Sequence, residues 1–483
     1  MRDTGIFVVG IITGLLCLSV GYEAYSQTEA EYEPAYLTPF QPTLAPSGGD
    51  RLDDLAAEIA SMKSELAKKT DKPANKGWSS PKIGGRFFMD YINAMNSDWD
   101  GWDTALGTHV ATQNWFGFRE ARLCVTGTGY DYLDYKLELG FEKNASSCPS
   151  YKDIFLGIQH VPILEYVRVG HQYVEDGGSE ICTGTTNYTF MELPASLGQQ
   201  FMSRRLGVTS RHLFVDDRVR MFFGVYGATN ISDSHYQKAD NQGIVLNTRM
   251  TMAPVFCQDG RRLLLFGAYY NFTESASGRS LAFCKPGGWD VYDPTGLGSF
   301  FSNQYQKAGF EAALQAGRFC VQADMFLQHY ADVNNNGGAV PYESIGNQTN
   351  YGGFITARWF LTRNDYRKYN LKSTSWDGVE ISRPFKFGDV GGVNWPTGCG
   401  AWELAGMYGV YDAFVFSTSV PAAADAKMLN QQVGAALNWY WNPSVKWAVN
   451  YFHDMTKASY RGNRGSDFYP SGDYLGLSCR VAF

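Results

Sequence analysis

The last twelve residues read GDYLGLSCRVAF, and from Leu475 every second side chain is apolar or a thiol: Leu475, Leu477, Cys479, Val481 and Phe483. The set between them, Tyr474, Gly476, Ser478, Arg480 and Ala482, is mixed and partly polar. Period two with one apolar face is the signature of a strand. Chain ends ordinarily fray and carry polar groups, so something holds this strand to its final residue and asks for an apolar outer face. The same alternation recurs upstream. In YLDYKLELGFE, Leu133, Tyr135, Leu137, Leu139 and Phe141 oppose Asp134, Lys136, Glu138 and Gly140. In WELAGMYGVY, Trp402, Leu404, Tyr408 and Val410 share a face, and VGAALNWYWNPSVKWAVNYFH reads as a hairpin turning at NPS.

About sixteen such runs occur, most of roughly 10 residues, as a tilted membrane-crossing strand requires. They lie near 83–93, 114–127, 130–142, 151–161, 165–174, 218–229, 243–256, 262–273, 278–286, 305–316, 318–331, 350–362, 400–412, 430–441, 444–455 and 472–483. Aromatics at 15%, 52 glycines and 18% charged residues in 483 suit a chain of many strands and turns. A net charge of −7 with no basic stripe excludes a nucleic-acid binder.

Residues 1–26 read as an export signal: Arg2, an apolar stretch from Ile6 to Val20, then small residues around Ala24 and Ser26. No later stretch is long and apolar enough for a membrane helix, so the exported chain is either soluble outside the cytoplasm or a β-barrel. Residues 27–50 form a Pro-rich linker, and 51–70 a short coiled-coil helix with Leu52, Leu55, Ile59, Met62 and Leu66 on its seam. A second linker, 71–81, leads to a barrel over 82–483. Tight connections such as TGYD and NPSV on one rim and long ones on the other are the pattern of an outer-membrane barrel. Two connections, 230–242 and 363–399, are long on the short-turn side. Closure pairs the last strand with the first and removes both sheet edges, which answers why the chain can stop on Phe483. The fold class is therefore all-β: a transmembrane antiparallel barrel with a short N-terminal coiled coil.

GGRFFMDY, FREARL, YTFMELPASLGQQF, GAWELAGMY, LNWYWNPSVKWAVNYFH and the closing YLGLSCRVAF together resemble the phosphate-selective porin O and P family. The resemblance spans roughly 82–483 and implies a sixteen-stranded homotrimeric outer-membrane porin with an inward-folded third loop, here 175–217. It also implies that the terminal Phe483 is read by the barrel-insertion machinery. The family's first-strand arginine matches Arg86, and its second-strand motif matches at Arg119 and Arg122. Glu120 stands where the family carries a further arginine, and Tyr173 where it carries a lysine.

Parity places Arg86, Arg122, Arg168, Arg218, Arg220 and Arg358 on the lumen face, and the long loop adds Arg204, Arg205 and Arg211. Lys136, Arg249, Lys446 and Arg480 join them, opposed by Asp90, Glu120, Asp134, Glu138, Asp153, Glu311, Asp324 and Glu403. The predicted interior leans slightly basic. Rings of Arg or Lys favour anions, and the guanidinium fork suits phosphate; a solvated interior of mixed ion pairs would have no preference. Parity also puts Arg119 on the outward face with Leu123.

The permeants expected are small hydrophilic solutes, with small anions or phosphate preferred. The other reading is structural, with the coiled coil reaching through the periplasm to the cell wall. Cys148 with Cys182, and Cys257 with Cys284, are candidate external disulfides. Asp332 to Glu343 has calcium-loop spacing, though an Asn/Gly-rich turn explains it as well; no other cofactor is implied. Nucleophile elbow, HExxH, P-loop and dinucleotide fingerprints are absent, so no enzyme is expected.

Overall fold

In a computed structural model of the chain, the described residues are 77–97, 114–142, 149–194, 202–228, 243–274, 280–281, 300–302, 304–334, 344–390, 393–415, 425–461 and 471–483. The signal, both linkers and the coiled coil expected before residue 77 lie outside them, as do Cys148, Cys284 and the calcium-like loop beyond Asn334.

The alternating runs assemble into a closed antiparallel sheet. Its sixteen long strands are β1 (Lys82–Ser97), β2 (Trp115–Gly129), β3 (Leu133–Gly140), β4 (Ser150–Val161), β5 (Glu165–Tyr173), β6 (Arg204–Phe214), β7 (Val219–Gly227) and β8 (Ile244–Cys257), followed by β9 (Arg262–Glu274), β10 (Gln304–Ala316), β11 (Phe319–Asn334), β12 (Ser344–Phe360), β13 (Ala401–Val415), β14 (Asp425–Asn442), β15 (Val445–Arg461) and β16 (Ser471–Ala482). Each pairs with its neighbours in sequence, and β16 returns to β1, from Arg86 opposite Ala482 to Ser97 opposite Gly472. The outward face is apolar: Leu137, Val208, Phe223, Met325, Val433 and Leu477 are each at least two-fifths exposed. Their inward neighbours are polar and mostly buried, including Glu138, Thr209, Asp324, Gln432 and Ser478.

The count of sixteen is reached by a different route from the one expected. The segment 204–214, placed within the long loop, is strand β6. The run 278–286 is not a barrel strand: among the described residues only Ser280–Leu281 is extended, paired with Phe300–Phe301. Restoring β6 makes the ends of β7 and β8 that face this connection fall on the long-loop rim; residues 230–242 themselves lie outside the described residues. One long connection remains on the short-turn rim, 361–400. It carries two small hairpins, Tyr366–Asn370 with Ser375–Glu380 and Lys386–Val390 with Val393–Thr397.

Candidate functional site

The lumen is filled from both ends. From the long-loop side, the chain after β5 folds inward through a helical turn, Ser179–Cys182, and a 3-10 turn, Thr185–Asn187. Its apolar side chains pack on the wall: Ile181, Tyr188 and Leu193 cluster with Tyr269, Phe326, Phe354 and Tyr411. Phe190 and Met191 cluster with Ile92, Met407, Phe452 and Tyr474. From the short-turn side, the hairpin 366–380 enters the barrel with Tyr369 and Trp376 buried against Leu263, Leu265 and Ala313. The two inserts meet. Trp376 N donates to Thr183 Oγ1 at 2.9 Å, Tyr369 Oη lies 2.8 Å from Ser179 Oγ, and Arg367 donates to Thr189 Oγ1 at 2.8 Å.

Irregular backbone at membrane depth is tolerated only where its polar groups are satisfied by protein or water. Here barrel cations supply the donors. Arg480 donates to the carbonyls of Thr185 (2.8 Å), Phe190 (3.2 Å) and Met191 (3.1 Å). Lys446 donates to the carbonyls of Tyr188 (2.7 Å) and Thr189 (3.1 Å), and Lys307 to that of Asp176 at 2.7 Å. Arg249 reaches Glu311 at 2.7 Å, the Thr374 carbonyl at 3.0 Å and Ser179 Oγ at 3.3 Å. Glu311 in turn accepts from Ser179 N and Oγ, both at 2.6 Å. Cys182 is part of this packing, its thiol facing Arg249 Nη1 at 3.0 Å. Cys257 ends β8 on the short-turn rim and not in an external loop.

The expected anion-path residues separate into groups. Arg86 and Arg122 lie opposite each other on β1 and β2 and share carboxylates: Arg86 with Glu120 (2.6 Å) and Glu138 (3.0 Å), Arg122 with Glu120 (3.0 Å) and Glu142 (3.1 Å). Lys136 continues the row to Glu138 (2.5 Å) and Asp153 (2.7 Å), and Arg204 closes on Asp153 at 2.6 Å. Arg220 is bound to Glu175 at 2.5 Å. Arg358 is buried against the Trp376 ring at 4.1 Å and donates to Thr189 Oγ1 at 3.1 Å, so it holds the inserts together instead of lining water. Arg218 sits half-buried in the turn between β6 and β7, donating to the Pro254 carbonyl at 3.1 Å; it is on the rim, not the inner wall. Arg204, Arg205 and Arg211 belong to β6 and not to the loop. Arg205 donates to the Arg204 carbonyl at 2.8 Å.

Arg168 and Arg211 form a further group. They flank one ring, Arg211 4.6 Å and Arg168 5.5 Å from the Tyr166 centroid, with Arg168 also 4.0 Å from Phe155. Neither has a carboxylate within 4 Å among the described residues.

Arg119 corrects the parity reading. A bulge between Phe88 and Met89 of β1 and the facing residues of β2 leaves Arg119 without a partner position in the ladder. A bulge re-aims the side chain of its extra residue. Arg119 therefore turns to the lumen and pairs with Glu192 of the inward-folded loop, with Asp90 3.7 Å away. The sequence carries no parity signal for this.

A family model for phosphate-selective porin O and P matches residues 91–483. The chain belongs to that family. The porin is a passive channel of the bacterial outer membrane, and family and fold point to a channel rather than an enzyme. No curated protein matches the chain. Solved structures align with the chain at low identity. The loop L8 deletion mutant of OmpT from Vibrio cholerae is 9% identical, covering 84% of this chain and 99% of that one, with a TM-score of 0.47. Salmonella typhi OmpF in complex with daunomycin is 12% identical, covering 85% and 98%, with a TM-score of 0.46. An anion-selective porin from Comamonas acidovorans is also 12% identical, covering 84% and 99%, with a TM-score of 0.46.

Proposed function

We propose that water and solutes pass along the β1–β7 side of the lumen, and that this passage is a general, weakly anion-leaning route for small hydrophilic solutes. The supporting observation is a contrast in exposure between the two walls. On the β8–β16 side, charged side chains are covered by the inserts: those of Arg249, Lys307 and Glu403 are each 0% exposed. On the β1–β7 side, Arg86, Lys136 and Arg204 keep 19%, 25% and 18% of their side chains accessible. Yet these accessible cations each hold a carboxylate. To bind phosphate, such an arginine must give up an existing charge-assisted pair, and the released carboxylate repels the anion. A row of mutually neutralised charges projects a weaker field into the passage than a row of free guanidinium groups would. Glu120, in place of a cation, is the hub of that neutralisation.

The residual anion bias comes from Arg168 and Arg211 at the short-turn mouth. We assign the chain no reaction. The working unit proposed is a homotrimer, as the family resemblance implies, with Phe483 offered to the barrel-insertion machinery. Reversal potentials in a salt gradient test the selectivity, with chloride, phosphate and potassium compared on one preparation. A small positive anion bias with no preference for phosphate over chloride is expected. Strong phosphate preference, or cation selectivity, overturns this reading; a monomer mass in mild detergent overturns the trimer.

A further inference from the structure

The insertion 361–400 divides at Ile381. Up to that point it belongs to the lumen, where Val379 and Ile381 are buried with Phe360, Ala401 and Tyr440. Beyond it the chain emerges on the other side of the wall. The ring of Phe385 lies 4.9 Å from that of Trp441 and 5.3 Å from that of Trp439. Trp439 is on the outward face of β14, the face that carries the exposed Val433 and Leu437. The crossing is fixed by backbone hydrogen bonds, Phe385 N to the Trp441 carbonyl at 2.7 Å and Gly400 N to the Arg383 carbonyl at 2.9 Å. Trp402 stacks on Trp439 at 5.1 Å, Trp441 approaches Trp447 at 5.8 Å, and both Trp402 and Trp439 donate their indole N–H to the Cys399 carbonyl. The second hairpin continues from this aromatic cluster with Phe387 61% exposed and Arg383 and Lys386 also exposed.

We propose that the stretch 383–388 is an interfacial foot seated in the phospholipid headgroup region of the periplasmic leaflet. Three features favour lipid over a protein partner. The foot packs on the outward apolar wall and is continuous with it. Its ring cluster stands at the short-turn rim, the level where amphipathic aromatics concentrate at a membrane–water boundary. Two basic side chains flank the exposed phenyl ring, which suits anionic headgroup phosphates beside acyl chains. Because the same connection carries the luminal hairpin, the foot anchors the insert from outside the barrel.

The test is a Phe387→Trp variant reconstituted in vesicles of phosphatidylethanolamine and phosphatidylglycerol, its emission taken as the difference from the parent protein. The substituted side chain is exposed, so heat-modifiable migration serves as the control for folding. Bromine carried on the acyl chains near the headgroup should remove most of the added emission, bromine near the chain ends should remove less, and aqueous acrylamide little. Strong quenching by acrylamide with none by brominated lipid would place the foot in the periplasm and overturn the proposal. Protection from both quenchers would place it between copies of the chain, and overturns it equally.

Discussion

Gly85 and Phe483 exchange both backbone hydrogen bonds, N to O at 2.9 Å in each direction, so the last residue of the chain closes the barrel against its first strand. A Cβ on Gly85 would stand 2.7 Å from the Arg122 carbonyl oxygen and 2.7 Å from the Phe483 ring. The glycine is required by that close approach, since the neighbour on one side is backbone and cannot swing away. A Gly85→Leu variant should fold into the heat-modifiable form in much lower yield. Phe483→Ala keeps the backbone pair and should fold better than Gly85→Leu once in detergent. Equal refolding yields for Gly85→Leu and the parent protein would show that the seam tolerates a side chain.

The barrel was legible because lipid on one side and water on the other impose strict alternation, which sixteen strands repeat. Strand β6 escaped because its sequence, RRLGVTSRHLF, keeps that alternation only at Leu206 and Val208 before Ser210 and His212 interrupt it. The cationic inner residues then made it look like part of the loop. What a period cannot carry is which charges meet. Arg86 and Glu120 are 34 positions apart, and their contact follows from register, not from local pattern. The bulge that turns Arg119 inward is likewise a one-residue offset between two strands, invisible in either alone. The insertion 361–400 was visible only as a misfit of loop lengths, and that misfit marked the short-turn connection that enters the lumen.

Neutralisation by Glu120 and Glu138 predicts what their removal does. Glu120 accepts from Arg86 at 2.6 Å and from Thr185 at 2.9 Å, and Glu138 takes the other arm of Arg86 at 3.0 Å. The double variant Glu120→Gln with Glu138→Gln preserves side-chain shape and leaves Arg86 and Arg122 with fewer carboxylates. The reversal potential in a potassium chloride gradient should move clearly towards the anion side. An unchanged reversal potential would mean that solutes do not travel past these residues.

Trp376 joins the two inserts and the wall. Its side chain is 1% exposed, its ring meets Tyr369 edge-on at 5.1 Å, and its indole N–H donates to Gln322. Trp376→Ala removes a fully buried indole, a change that costs about 3–5 kcal/mol in well-packed interiors. The expected outcome is a lower midpoint for unfolding of the barrel in denaturant together with larger and noisier single-channel conductance, because the luminal hairpin loses its anchor. A stability loss with parental conductance would show that the hairpin stays outside the solute path.

The loop edge nearest the passage is fastened by Arg119, whose guanidinium pairs with Glu192 and lies 3.7 Å from Asp90. About a third of the Arg119 side chain is accessible, whereas Asp90 is fully buried and Glu192 keeps 14% of its side chain accessible. Arg119→Gln leaves both without their cation, which should loosen the loop edge and raise the negative potential beside the passage. Conductance should increase while selectivity shifts towards cations. Glu192→Gln removes the fastening but leaves Arg119 beside Asp90, so conductance should rise while selectivity shifts less. The charge-swapped pair Arg119→Glu with Glu192→Arg restores an ion pair across the same gap, although it places the new carboxylate beside Asp90; its conductance should fall back towards the parent value. If Arg119→Gln and Glu192→Gln each left conductance as it was, the loop edge would be held without this pair, by its carbonyl contacts to Arg480 and Lys446.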